Sequence, residues 1–591
     1  MKPLEWVWTY IRQFKKPLIL ALALSTVQCF TIMINPYAAG RIVEEVMQGG
    51  MRERLAVYLG VMVGATLFRA LARYAMFMLF ESSSQNIAFL LRRDVYRRIQ
   101  DQNYGFFDTN RVGDVMSRMT GDLEAIRRMV GGMVHAAYEN VLLFILALTV
   151  MFTLSWRLTL IMVAVTPVII LCTYRQAKEI KPFFTRIREQ YSKLNSVVEE
   201  NIGGNRVVKA FTKEGYETEK FTKENEGFYK SNVDSVKIWI KYMPVMEFSA
   251  GLLNVILLIA GGAMVITGRL ELWKMVTMNG YLWAVSGPLR LFGWVINDIQ
   301  NFNASLEKIS EMMRKSIYIY SPENAAKPAR IKGAVEFRGV DFSYDRNHPN
   351  PPLALKGINF RLEPGQTLGV VGATGSGKTT LINLIGRYYD VTRGQVLVDG
   401  RDVREYDLQA LRKGIASAAQ DVFLFSDTVE GNVAYGVPDA PMDSLVEAAV
   451  TADAHGFIEG LENGYETIVG ERGVGLSGGQ KQRLSLARAI AADPAILILD
   501  DTTSAVDMET EHEIQKALKE KYSDRTRIVI AHRISSVKPA DLIIVLEAGE
   551  IIERGSHEEL VAMKGAYYGL FMSQYGDFES ERAGGEGLGQ E

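Results

Sequence analysis

Ten consecutive residues, Val371-Gly372-Ala373-Thr374-Gly375-Ser376-Gly377-Lys378-Thr379-Thr380, have the types and spacing to grip a polyphosphate. Gly372, four residues, then Gly377-Lys378-Thr379 fits the phosphate-binding loop pattern. Glycines let backbone N–H groups turn inward on an anion that a Cβ would hold away. Lys378 can reach β and γ oxygens, and the Thr379 hydroxyl can ligate Mg²⁺. The chemistry this stretch can do is the binding of a nucleoside triphosphate.

Such a loop works only between a strand and a helix. The apolar run Thr367-Leu368-Gly369-Val370-Val371 supplies the strand, and Leu381-Ile382-Asn383-Leu384-Ile385 reads as the helix. The start of that helix adds positive dipole where phosphates sit. Ala334–Tyr344 alternates as a strand does, and further strands are expected at Ala495–Asp500, Arg527–Ala531 and Leu542–Leu546. This second half is therefore read as an α/β domain.

The chain has 591 residues, 48% of them apolar, and a net charge of −2. The near-neutral balance gives no support for a nucleic-acid partner. Cys29 and Cys172, the two cysteines, both lie in apolar runs, so neither a disulfide framework nor a metal cluster is indicated. No small-residue cleavage site follows a short apolar core at the N-terminus, so no signal peptide is expected.

The composition hides two unlike halves. Leu4 to Phe14, with Trp6, Trp8 and Tyr10 beside Arg12, Lys15 and Lys16, suits an amphipathic helix at a membrane interface. Six spans follow: Pro17–Gly40, Leu55–Phe80, Val134–Leu154, Leu158–Tyr174, Met243–Thr267 and Val276–Ile296. A bilayer core takes about 20 helical residues. The loops 81–130 and 175–240 are long and rich in Arg and Lys, which places them, both termini and the phosphate loop in the cytoplasm. Apolar residues at helical spacing in Asn86–Gln100 and Phe183–Val208 predict helices that project past the membrane.

Ionisable residues inside spans are costly and are functional candidates by default. Arg69, Arg73, Glu139 and Glu247 are the candidates here. They either touch an amphipathic substrate in a water-filled cavity or form structural ion pairs and snorkel at span ends. Residues 317–333, with Ser321-Pro322 and Pro328, read as a linker, and 576–591 as a disordered acidic tail. The boundaries expected are thus 1–316 for the membrane domain and 334–575 for the nucleotide domain.

Downstream come Leu476-Ser477-Gly478-Gly479-Gln480, Ile496-Leu497-Ile498-Leu499-Asp500, Ser504-Ala505-Val506-Asp507 and Ala531-His532-Arg533. In this order the series resembles the nucleotide-binding domain of an ABC transporter, and with six preceding spans the chain resembles an exporter-type half-transporter. Phe106-Phe107-Asp108, Gly113–Arg118 and Arg206–Phe211 resemble the family's intracellular-loop segments. The fold class expected is an α-helical six-span membrane domain followed by an α/β P-loop domain.

The resemblance implies roles residue by residue. Tyr344 corresponds to the aromatic that stacks on adenine, and Asp500 to the carboxylate that holds Mg²⁺ with Thr379. Gln420 corresponds to the glutamine that senses Mg²⁺, and His532 to the switch histidine. Ser477, Gly478, Gly479 and Gln480 correspond to a signature loop that closes on ATP held by the opposite subunit, and Asp507 joins the nucleotide-binding set.

One position departs from the family. Asp501 stands where the catalytic glutamate is usual. Aspartate is shorter by one methylene, about 1.5 Å of reach, and a misplacement of about 1 Å can cost 10²-fold. The expectation is a subunit whose own ATP site hydrolyses weakly, with Asp501, His532 and Gln420 as its catalytic set. Its intact signature loop would complete a competent site on a second half-transporter subunit. A homodimer tolerating aspartate, a lipid or peptide flippase, an importer and a regulatory or channel subunit remain as alternatives.

Overall fold

The computed structural model describes residues 2–345, 351–470, 473, 475–502 and 504–574, without the side chains of 169, 177, 288–294, 296 and 297. The tail expected at 576–591 lies outside the described residues. Two compact units form: Met1–Asp101 with Arg111–Lys315, and Gln102–Asn110 with the chain from Ser316 onward.

The first unit is helical. Pro3–Ile11 is the expected N-terminal helix, and its Tyr10 hydroxyl donates to Asp94 at 3.0 Å. The long helices are Lys15–Arg41, Arg54–Gln100, Val134–Val163, Thr166–Gly203, Glu214–Ile256 and Leu272–Arg314. Arg54–Gln100 has 47 residues, about 70 Å at 1.5 Å per residue, more than twice a bilayer's apolar thickness. By length and composition, four helical stretches among the described residues can cross a membrane: Pro3–Gln48, Arg54–Gln100, Val112–Val163 and Glu214–Ile266.

The expected span 158–174 is not one helix. It divides after Val163, and Pro167 sits in the first turn of the next helix, where its missing N–H costs nothing. Ser155 has extended backbone (φ −161°, ψ 97°), which makes the break before Trp156 and Arg157. The expected span 276–296 falls in Leu272–Arg314, where several side chains are not described.

The second unit is an α/β domain. Its strands are β1 Val335–Phe342, β2 Leu355–Leu362, β3 Thr367–Gly372, β4 Arg393–Val398, β5 Arg401–Asp402 and β6 Ile415–Ala418. Then come β7 Asp427–Thr428, β8 Ile468–Val469, β9 Ile496–Asp500, β10 Thr526–Ile530, β11 Leu542–Glu547 and β12 Glu550–Gly555. The main sheet runs β12-β11-β3-β10-β9-β6, parallel except for the edge strand β12. Every residue of β9 is buried, as a strand covered on both faces requires. A second sheet, β2-β1-β4-β5, packs its apolar face into the same core through Val335, Phe337, Ile358 and Val396. Residues 317–333 belong to this unit: Ala326 bridges Tyr406, and the Ser321 hydroxyl accepts from the Leu408 N–H at 2.9 Å.

Candidate functional site

In an open parallel sheet, ligands bind beyond the carboxyl ends of the strands. Four adjacent strands deliver functional groups there. β3 runs into the phosphate loop, β9 ends on Asp500, and β10 and β6 lead to His532 and Gln420, each two residues past its strand. The register aligns them, with Ile530 opposite both Val370 and Asp500, and Ala418 opposite Leu499.

The loop's glycines are forced by its path. Gly372 has φ +154° with the Leu546 carbonyl 2.2 Å from where a Cβ would stand, and Gly377 has φ +106° against the Ala354 carbonyl. Lys378 opens the helix Lys378–Ile385 and folds its amine back, donating to the carbonyls of Gly372 at 2.8 Å and Ala373 at 2.9 Å. Burial lowers the Lys378 amine below its ordinary value, while the charges of Asp500 and Asp501 oppose that. The Thr379 hydroxyl lies 3.5 Å from the Asp500 carboxylate. Burial, and then the charge of Asp501, push the Asp500 carboxyl above its usual range, and His532 acts against them. Lys378, Thr379, Asp500, Asp501 and His532 therefore share one electrostatic site.

The loop fits a triphosphate with a divalent cation. Ser376 is buried and its hydroxyl has no hydrogen-bond partner among the described residues, inside a turn whose glycines leave backbone exposed to an anion. Thr379 and Asp500 offer the hard oxygen donors that Mg²⁺ takes. Tyr344, half exposed, rests its hydroxyl 2.9 Å from Thr380 and packs edge-on against Phe342 and Tyr389. A cavity of about 510 Å³ opens beside it, lined by Tyr104, Asp108, Tyr318, Asn383 and Tyr389. The Tyr389 hydroxyl donates to Asp108 at 2.6 Å, and burial first, then that carboxylate, raises its pKa. Nothing in the sequence pairs Asp108 with Tyr389 across 281 positions.

Other expected residues stand apart. Ser477 caps the helix Gly478–Ala491, accepting from the Gln480 N–H, while the Gln480 side chain accepts from the Ser477 N–H at 2.9 Å. Among the described residues, no hydrogen bond or ion pair joins Ser477, Gly478, Gly479 or Gln480 to the phosphate loop. Asp507 caps the helix Met508–Lys521, accepting from the Thr510 N–H at 2.9 Å, which holds its carboxyl below the usual range. Gln420 is exposed.

Sequence reasoning missed Gln482, which is buried and bonded to the loop after Asp501. The available signal was helical spacing, which puts Gln482 on the same buried face as Leu486 and Ala489.

In the helical unit, Glu139 meets partners from two directions. His135, one turn earlier, is 3.2 Å away, and Gln28 donates to it at 3.2 Å. Phe77 and Phe80 pack their rings on His135. Arg73 lies over Phe77 at 5.5 Å, while Glu247 is exposed on the helix Glu214–Ile256. Arg69, half-buried, shares its helix with Arg73. Of the four membrane candidates, Glu139 alone sits in a built polar cluster among the described residues.

Comparison with known proteins follows the same division. Residues 18–289 match the family model described as ABC transporter transmembrane region, and residues 355–504 the model described as ABC transporter. An uncharacterized ABC transporter ATP-binding protein, YknU of Bacillus subtilis, is 36% identical, covering 97% of both chains. An ATP-dependent lipid A-core flippase of Syntrophus aciditrophicus is 36% identical over 87% of this chain and 84% of its own. A solved bacterial Atm1-family ABC exporter with ATP bound superposes with a TM-score of 0.79 at 26% identity, covering 95% of this chain and 98% of its own.

Proposed function

Because the chain belongs to the ABC transporter family, joining a transmembrane region to an ATP-binding domain, we propose that it is one subunit of an exporter for drugs or other amphipathic compounds. Its ATPase activity is coupled to transport. It resides in the cytoplasmic membrane, crosses it with six spans and keeps both termini in the cytoplasm. The lopsided Arg and Lys content of the long loops supports this orientation.

ATP with Mg²⁺ supplies the binding and hydrolysis energy. On this chain the backbone of residues 372–378 and the Lys378 amine hold the phosphates, with Thr379, Asp500 and Gln420 on the metal side. Tyr344 offers its ring to the base. Asp501 orients the attacking water, and His532 stands by the terminal phosphate. Closure of two nucleotide domains on two nucleotides passes through the long helices to the spans. It shifts the cavity from inward- to outward-facing, because each ligand state must favour one conformation.

The observation that carries the subunit reading is the pairing of Asp501 with an intact Ser477–Gln480. The chain's own site is short by a methylene, and its signature loop is ready to complete a partner's site. A heterodimer of two half-transporters follows. Membrane lipid surrounds the spans, and an amphipathic substrate enters among them, with Glu139 and the arginines Arg69 and Arg73 on its path. A second reading, a homodimeric lipid flippase, draws on the similarity to a lipid A-core flippase and on the retention of His532 and Gln420. The test is Asp501→Glu in the purified complex. The heterodimer reading expects ATP turnover to rise about tenfold as the reach is restored, and an unchanged rate argues that the shorter carboxylate is not limiting.

A further inference from the structure

The loop after the two adjacent carboxylates is held by the helix that starts at the signature residues. Gln482, 7% exposed, lies on Gly478–Ala491, about one turn past its first residue. Its Oε1 accepts from the Ala505 N–H at 3.0 Å, while its Nε2 donates to the Ser504 hydroxyl at 3.0 Å and to the Asp501 carbonyl at 3.4 Å. A primary amide has two donors and two acceptor lone pairs, so most of this side chain's capacity is spent on one loop.

A second contact leaves that junction no slack. At Gly479 a Cβ would stand 2.9 Å from the Ala505 carbonyl, so the first turn of the helix presses directly on the same loop. The loop is equally fixed on its other side. Asp501 holds a left-handed φ of +49°, its N–H donates to the Ile530 carbonyl at 2.8 Å, and its carbonyl also accepts from the Ser504 hydroxyl at 3.0 Å. Arg533, next to His532, reaches the Ser504 carbonyl at 3.4 Å and the buried Glu511 at 3.2 Å. A displacement of Asp500 and Asp501 therefore has a short, packed route into the signature helix. Interiors this dense transmit strain.

We infer that Gln482 is the positioning residue through which ATP on this chain's own phosphate loop sets the signature loop offered to the partner. This rests on the two-site dimer proposed above. Through Gln482 the occupancy of a weakly hydrolysing site still governs the rate at the other one. The side chain touches no substrate. It acts by carrying the position of Asp501, Ser504 and Ala505 to Ser477.

The test uses the purified full-length transporter carrying Gln482→Met, which keeps the length and removes the hydrogen bonds. The expected result is turnover lowered about tenfold or more, with Mg-ATP retention on the phosphate loop within about twofold of wild type. Gln482→Glu keeps the acceptor for the Ala505 N–H and is expected to recover part of the lost rate. Wild-type turnover by Gln482→Met in an assembly shown to be dimeric overturns the inference alone. A strictly monomeric assembly fails the dimer reading instead. Turnover and ATP retention lost together in both variants marks a merely structural role and also overturns it.

Discussion

The second unit carries two anion-facing surfaces that differ in how finished they are. Around the phosphate loop, Lys378 and Asp500 are buried, mutually charged and shifted in opposite directions from their ordinary values. Around Ser477–Gln480 each of those two side chains accepts from the other residue's backbone N–H, a capping box at the start of a 14-residue helix. The first surface is assembled from four adjacent strands of one chain. The second presents a hydroxyl, glycine N–H groups and a helix dipole. The difference teaches that one chain carries two unlike half-sites, a phosphate loop and a signature loop, which the two-chain assembly proposed above would join each to its complement.

The comparison breaks most decisively at Lys378. Lys378→Ala removes the only charge that the phosphate loop itself carries, and it is expected to weaken Mg-ATP retention by this chain about 10²-fold or more. Equilibrium binding to the purified protein reads this, and unchanged affinity would defeat the site assignment. Asp501→Glu, described above, sharpens the contrast by lifting the finished surface toward full hydrolysis. Gln482→Met probes the joint between the two surfaces. The smallest effect is on stability. The Asp500 carboxyl is raised in the folded state, so its charged form costs stability, a cost that grows as pH rises through the folded-state value. Asp500→Asn should therefore raise the melting temperature of the nucleotide-free protein by about 2–4 °C at pH 8. That gain should vanish as pH falls to the ordinary carboxylate range. A gain that persists at low pH would show that the charge is not its source.

The two units also differ in how much the sequence disclosed. In the nucleotide unit, glycines at fixed offsets and apolar runs ending in Asp500 or Ala531-His532 named the strands, because backbone geometry allows few substitutes there. The cluster of Gln28, His135 and Glu139 was not legible, since it joins residues about 110 positions apart and helical pattern alone does not set which faces meet. Asp108 against Tyr389, 281 positions apart, was hidden for the same reason, whereas helical spacing marked Gln482 as buried without naming its partner. The helix break inside the expected span 158–174 has a local cause, Pro167, which was readable in the sequence. Residues 317–333 read as a linker from their prolines, yet the Ser321 hydroxyl and the Ala326 backbone tie that stretch to the α/β domain through contacts that composition does not reveal.

The most direct measurement is the intact mass of the detergent-purified assembly held in Mg-ATP. Two half-transporter chains retaining two nucleotides is the predicted result. A single chain that hydrolyses ATP unaided would contradict the account, because its own signature loop would then have no site to complete.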